Sequence, residues 1–270
     1  MIYLGSLSRM VGVACPAEQR SSTADRYSFQ TTLGGRVKAQ VRPEGRRTWD
    51  LRLPRTSTSS DVAVLQAFAD GSWGPGPFRF VPAEAPSTNL LPPRVAACDS
   101  SENPSYLVVD GGPVQVDGQW FAQSYFNTAD VVIFFGKDYE SGAVPVDAGQ
   151  RVTASAFVAG NNSRVRVTFY DQHGDSLGSS YGSSAGSGTA FRRSVVTAVP
   201  PAGAVAARLF AVDTSRATGP AMTWTDGVGD WSDGRGCAHA VVLKGQSDLI
   251  RTGLGGRTYE GVSFTVQEVG

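Results

Sequence analysis

Two overlapping pentapeptides, "GSSYG" at 178–182 and "GSSAG" at 182–186, carry the G-x-S-x-G spacing that lifts a nucleophilic serine out of a sharp strand-to-helix turn. Asp213 and His239 follow in the order of a hydrolase triad. Ser180 or Ser184 could then attack an acyl carbon while His239 takes the proton and Asp213 orients the imidazole. That chemistry needs a buried parallel strand before the serine and a helix after it. "LGSSYGSSAGSGTA" is instead a Gly/Ser-rich stretch in a region that reads as strands throughout, so the expectation is no enzyme. His173 and His239 lack the spacing of metal ligands. "DQHGD" sets Asp171 and Asp175 where their oxygens could hold calcium, but the same residues make an ordinary polar turn, and no cofactor is expected. Asp138 and Glu140 could serve as the carboxylate pair of a glycosidase; between Gly136 and Gly142 they read as a solvent-facing turn.

Aromatic side chains offer a second kind of chemistry, recognition of sugars. Saccharide rings present C–H faces that stack on exposed aromatics while nearby polar groups take the hydroxyls. "QWFAQSYFN" places Trp120, Phe121, Tyr125 and Phe126 on both faces of a pleat of which one face can be core, and Tyr170 falls on the polar side of its strand. Trp120, Tyr125 and Tyr170 are the expected platform, although Trp120, like Trp224, could equally belong to a core. A set of cations, Arg36, Lys38, Arg42, Arg47 and Arg52, gathers on what reads as a hairpin, "GGRVKAQVRPEGRRTWDLRL", turning at Pro43-Glu44-Gly45. Its basic face is either solvated charge or a subunit contact.

These residues need elements to hold them. Beyond that hairpin, "TSTSSDVAVLQAFADG" combines Ser/Thr caps, Val62, Leu65, Phe68 and Ala69 at helical spacing, and a stop at Gly71, which predicts one helix. "SWGPGPFRFVPAEAPSTNLLPP" breaks every continuous element except a short "FRFV" strand. From about Asn89 strand follows strand, among them "QRVTASAFVAG", "SRVRVTFYD", "FRRSVVTAV" and "AVAARLFAVD", separated by turn clusters. These fit a β-sandwich of the jelly-roll kind. The closing segment "RTYEGVSFTVQEVG" reads as a further strand with Val262, Phe264 and Val266 on one face, left over once the sandwich is complete. Residues 1–88 alone make a thin core, and "LGGR" precedes a strand both at 33–36 and at 254–257. The expectation is therefore a discontinuous domain of residues 1–88 and 246–270, with 89–245 inserted into it.

Composition bounds the rest. The 270 residues contain 32 glycines and 15 prolines, 18% charged residues and zero net charge, the profile of a turn-rich β protein with no excess of basic charge for nucleic acid. No stretch approaches the roughly 20 apolar residues of a membrane span. The N-terminal run "MIYLGSLSRMVGVACPA" lacks the basic start of an export signal and is interrupted by Arg9. Cys15, Cys98 and Cys237 are too few and too dispersed for a disulfide scaffold, which points to synthesis in a reducing cytosol. Cys98 and Cys237 flank the inserted section, and a bridge between them or two buried free thiols are both open.

The succession "LGGRVKAQVRPEGRRTWDLRLPR", the helix, "GPFRFVP", "NLLPP", "VPVDAGQRVTASAFVAG", "VRVTFYDQHGDSLG", "WSDGRGC" and "YEGVSFTVQEVG" resembles the minor tail proteins of long-tailed phages of actinobacteria. More narrowly it is similar to a distal tail protein carrying an inserted carbohydrate-binding-like, galactose-binding-like module. The resemblance is one of layout over nearly the whole chain, without a catalytic signature. It implies a β-sandwich belt domain that joins a hexameric ring of identical copies at the end of the tail tube. The other partners it implies are the tail tube protein and other tail-tip proteins. The chain would be made in the host cytoplasm and end in the virion, its module projecting toward host cell-wall polysaccharide or acting as a spacer. The alternatives are a soluble carbohydrate-binding protein unconnected with a virion, and a hydrolase using Ser180 or Ser184.

Overall fold

The computed structural model describes every residue except 24–26, 32–33, 42–45, 55–56, 103–107, 111–113, 117, 122, 127–131, 148, 233, 235, 254–255 and 270. At 27–28, 40–41, 59, 86, 100, 108–110, 120, 244–253 and 256–261 it describes the backbone alone. The strands are β1 (Ile2–Ser6), β2 (Arg9–Val13), β3 (Glu18–Thr23), β4 (Tyr27–Thr31), β5 (Val37–Val41), β6 (Arg47–Arg52), β7 (Phe78–Val81), β8 (Val108–Asp110), β9 (Val114–Val116), β10 (Gln119–Phe121) and β11 (Ser124–Phe126). They continue as β12 (Val132–Phe134), β13 (Ala143–Pro145), β14 (Val152–Ala159), β15 (Arg164–Tyr170), β16 (Ser176–Tyr181), β17 (Arg192–Ala198), β18 (Ala206–Val212), β19 (Arg216–Thr223), β20 (Ala238–Gly253) and β21 (Gly256–Glu268). The helices are α1 (Ser59–Asp70) and the single turns α2 (Pro93–Ala96) and α3 (Tyr139–Gly142). The protein is mainly β and divides into two compact units, Met1–Ile2 with Gly12–Phe80 and Ala238–Gly270, and Tyr3–Val11 with Val81–Cys237.

Unit 1 is built on the strand order β7-β20-β21-β6-β3. The final strand lies inside this sheet, between β20 and β6, with Phe264 opposite Leu51 and Val266 opposite Trp49. Its period-two pattern explains why: Val262, Phe264 and Val266 are buried, whereas Ser263, Thr265 and Gln267 are half-exposed. Helix α1 packs on β20 and β21 and turns in Val62, Leu65 and Phe68. Thr58 and Asp61 form a reciprocal capping box at its start, and Gly71 ends it at φ 82°, a left-handed conformation that costs glycine nothing. Trp49 meets Phe80 edge-on at 4.9 Å, and Phe68 meets Phe78 at 4.7 Å.

The predicted hairpin of residues 34–53 does not form. β5 pairs with β4, Phe29 opposite Ala39, while β6 pairs with β3 and β21. β3, "EQRSST", is polar because it is an edge strand with one wet side, so hydrophobic alternation gave no sign of it. The basic set is divided accordingly. Arg36 precedes β5 and Lys38 lies on it, Arg47 and Arg52 lie on β6, and Arg42 falls outside the described residues. Arg47 is not an exposed contact. Its backbone N–H and Nε donate to Glu268 Oε2 at 2.9 and 3.1 Å, its Nη2 to Oε1 at 3.0 Å, and its guanidinium covers Trp49. It ties the start of β6 to the end of β21.

Unit 2 is an antiparallel sandwich of two five-stranded sheets, β17-β14-β19-β11-β8 and β12-β18-β15-β16, the second completed by β13, which also pairs with β18. The chain passes from one sheet to the other between β14 and β15, β16 and β17, β17 and β18, and β18 and β19, as jelly rolls do. Val165, Val167 and Phe169 of β15 pack with Ala154, Ala156 and Val158 of β14 and with Leu209 of β18 between the sheets. The unit starts earlier and ends earlier than residues 89 and 245. Val81, Ala85, Leu90 and Leu91 join its core, the Asn89 carboxamide is hydrogen-bonded to Pro220 O and Met222 N, and Tyr3 packs edge-on against Trp224. The outgoing strand β20 already pairs with β7 at Ala238, opposite Phe80.

Cys98 and Cys237 are both buried and neither is in a disulfide, whereas Cys15 is exposed. Burial pushes the Cys98 thiol up to about 12, so it is not a thiolate at neutral pH. A maleimide or disulfide reagent is expected to modify one cysteine in the native protein and three in denaturant; modification of all three at equal rates without denaturant would contradict this burial.

Candidate functional site

The expected aromatic platform is not assembled. Tyr125 on β11 is 0% exposed, lies between the sheets near Phe135, and donates its hydroxyl to Asp99 O at 3.3 Å. Burial pushes its phenol well above the usual range. Tyr170 lies on the outer face of the β12-β18-β15-β16 sheet, half-buried against Tyr139 at 5.3 Å. The side chain of Trp120 is outside the described residues; its backbone pairs β10 with β9. The premise that one face of each pleat is core is what gives way. β14 is buried along its whole length, because Val116, Phe121 and Trp231 cover Phe157 on the outer side of its sheet. Aromatics on both sides of this sheet can therefore be interior. Trp224 is buried as well, its Nε1 donating to Pro145 O.

The acid and histidine candidates are occupied by turns. Asp171 Oδ1 accepts the N–H groups of His173 and Asp175 at 2.8 and 2.9 Å, and these backbone donors hold its carboxyl below the usual range. Asp138 caps α3 by accepting Ser141 N–H at 2.7 Å, which likewise lowers its carboxyl. Among the described residues no group of three or more His, Cys, Asp or Glu could hold a metal ion. Ser180 lies in β16, the antiparallel edge strand beside β15, and Ser184 in the segment after it; neither stands on a strand-to-helix turn. His239 is in unit 1, on β20 opposite Arg79.

Two of those residues, Ser184 and Asp213, do meet. Together with Asn161, Asn162 and Arg164 they line a pocket of about 540 Å³ formed by three loops of unit 2. The loops are β14–β15, β18–β19 and the segment leaving β16. Buried hydroxyls tie them together. Ser163 Oγ donates to Asp213 O at 2.9 Å, Thr214 Oγ1 is shared between Ala159 O and Arg216 O at 2.9 and 2.7 Å, and Ser194 Oγ donates to Ser183 O at 2.9 Å. Backbone bonds from Ser215 N to Ala159 O and from Ala185 N to Ser163 O complete the lattice. Gly160 permits the closest approach: at φ 141° it leaves no room for a Cβ, which would meet Ser163 Oγ at 2.7 Å. Asn162 and Asp213 also turn in the left-handed region, at φ 57° and 53°, where asparagine and aspartate are the favoured non-glycine residues.

All five lining residues are polar in type: two carboxamides, a hydroxyl, a guanidinium and a carboxylate. Arg164 Nη2 stands 3.5 Å from Asp213 Oδ2, both side chains about half exposed, a pair worth ~1 kcal/mol or less and easily shared with a third group. The Arg164 guanidinium also lies 4.8 Å from the ring centre of Tyr181, which is 51% exposed. Such a site can exchange hydrogen bonds with a polyhydroxylated ligand beside an exposed ring.

No family model matches this sequence, and no curated protein does. Among solved structures, it is similar to the enzymatically active domain of tailspike protein 4 of bacteriophage CBA120, with a TM-score of 0.31 and 16% identity over 44% of this chain and 18% of that one. It is also similar to the CBM22-1–GH10 modules of Clostridium thermocellum endo-1,4-beta-D-xylanase 10B complexed with xylohexaose, at 0.29 and 12% over 46% and 26%. The infectious bursal disease virus VP2 subviral particle aligns over 99% of this chain and 55% of its own, at 0.25 and 15%. The chain thus spans less than two thirds of each of these proteins, and TM-scores this low carry no argument about what it does.

Sequence reasoning passed over Asn161, Asn162 and Arg164. The signal was present in "GNNSR", a turn with two side chains suited to left-handed backbone, ending on the first arginine of a strand.

Proposed function

We propose that this protein is a structural component of a phage tail tip, without catalysis. Unit 1 joins a hexameric ring of identical copies at the end of the tail tube, against the tube protein and other tail-tip proteins. Unit 2 contacts a saccharide of the host surface through the pocket around Arg164. The layout supports the first part: the chain leaves unit 1 after Phe80 and returns at Ala238, residues that are direct partners on adjacent antiparallel strands. The observation that carries the second part is the pocket itself, five polar side chains held by cross-tied loops beside exposed Tyr181. One weak site per copy would gain avidity from repetition around a ring.

Both parts are open to direct test. Antibody-gold labelling of purified virions is expected to decorate the tail tip; absence of the protein from virions overturns the assembly role and leaves a free carbohydrate-binding protein. The full-length chain is expected to sediment with host cell walls, and Asn161→Ala and Tyr181→Ala each to weaken that retention about tenfold, the loss of roughly one good hydrogen bond or stacking contact. Retention indifferent to both changes, in variants that melt like the parent, would sink the saccharide site.

A further inference from the structure

The pocket opens at one end of a face that the saccharide reading does not use. In antiparallel pairs, residues directly opposite each other share a face. On the outer side of the β12-β18-β15-β16 sheet Arg166 is opposite both Tyr181 and Phe210, Phe134 is opposite Phe210, Arg164 is opposite Val212, and Arg208 is opposite Thr168. Three arginines and three aromatic rings therefore form one continuous surface. The Arg166 guanidinium lies 4.6 Å from the Phe210 ring centre and that of Arg208 lies 5.5 Å from it, while Arg164 covers Tyr181. The rings hold the guanidinium groups in place, and the three arginine side chains stay partly exposed although their Nε atoms are buried.

The charge of this face is only partly answered from within. Asp213 faces Arg164, and Arg208 Nη2 donates to the backbone oxygen of Asp138 at 3.0 Å. Arg166 pairs with no carboxylate among the described residues, and its Nε is buried without a hydrogen-bond partner. A neutral sugar would accept hydrogen bonds from such a row but leave its charge unanswered. A guanidinium fork matches a carboxylate or phosphate oxygen pair, and stacking on an aromatic face orients the fork in advance.

We propose that this face selects an anionic polysaccharide, one bearing carboxylate or phosphodiester groups along its chain, with Arg166 as the principal anion contact and the Arg164 pocket holding a neighbouring residue's hydroxyls. The inference rests on the saccharide reading of the pocket and adds the charge of the ligand.

Binding of the full-length protein is measured against polygalacturonate, poly(glycerol phosphate), neutral dextran and a single-stranded oligothymidylate. One or both of the anionic saccharides are expected to bind at least tenfold more tightly than dextran, with an affinity that falls as salt rises. Which of the two binds tells carboxylate from phosphodiester. Arg166→Gln is expected to lower that affinity about tenfold and Arg166→Lys to retain part of it, with the parent's melting temperature in both. Should Arg166→Gln fail to fold because Phe210 loses its cover, Arg166→Lys carries the test: full affinity and an unchanged salt response would count against a forked contact. Equal binding of dextran and both anionic polymers, or anionic binding indifferent to Arg166, overturns the inference. Retention on cell walls that is still lost in Asn161→Ala then leaves the neutral saccharide site standing. Oligothymidylate bound as tightly as the saccharides, and lost with Arg166, would make this a nucleic-acid surface and overturn it also.

Discussion

A chain truncated before Thr258 loses the fold of unit 1. β21 is an interior strand of that sheet, so its removal strips pairing from both β20 and β6 and uncovers Trp49 and Leu51. It also deletes Val262, Phe264 and Val266, all buried, each worth about 1.5–3 kcal/mol of burial. The sum, about 5–9 kcal/mol, is comparable with the roughly 5–15 kcal/mol by which whole domains are stable. Arg47 would in addition lose Glu268, leaving a half-buried guanidinium without its bidentate acceptor. Hydrogen exchange is expected to show peptides covering 47–53 and 59–70 exchanging at unfolded rates in the truncated chain, while peptides within 152–170 stay protected. Continued protection of 47–53 would mean that β21 does not hold this sheet together.

Tyr125→Ala is expected to destabilise unit 2 by about 3–5 kcal/mol, the usual cost of emptying a buried aromatic site. The ring is fully buried in the core between the two sheets, so an alanine would leave a cavity there. Tyr125→Phe keeps the ring and removes only a long hydrogen bond to Asp99 O, so a change of about 1 kcal/mol or less follows. Denaturant melts of both variants decide the matter. If Tyr125→Ala changed stability by no more than Tyr125→Phe, the residue would not be a core residue, and a role as an exposed platform would return.

The contrast between these two residues shows what was legible in the sequence. Phe264 lies on a strand wet on one side, where period-two alternation reports burial faithfully, and helix α1 announces itself by its caps and its spacing of Val62, Leu65 and Phe68. Tyr125 belongs to a sheet covered on both faces, where alternation carries no information and an aromatic on either side is interior. β3 escaped for the opposite reason, having too few apolar residues to alternate, and with β3 unseen β6 was assigned the wrong partner. The pocket was illegible because its five residues come from three loops and the start of β15, spread from Asn161 to Asp213 and joined by buried hydroxyls whose partners only the fold brings near.

The pairing of Phe80 with Ala238 bears on how such a protein changes over time. Antiparallel partners are about 5 Å apart, so the sheet of unit 1 holds the two ends of the 81–237 segment at a fixed separation. Any domain whose own termini come that close could be spliced into the same position without altering the register of β7 against β20. Recombination could then replace the segment between β7 and β20 while the strands that build unit 1 stay as they are. The segment between these two strands and the strands themselves would then vary as separate traits, with Tyr3–Val11, which packs with unit 2, bound to follow the former.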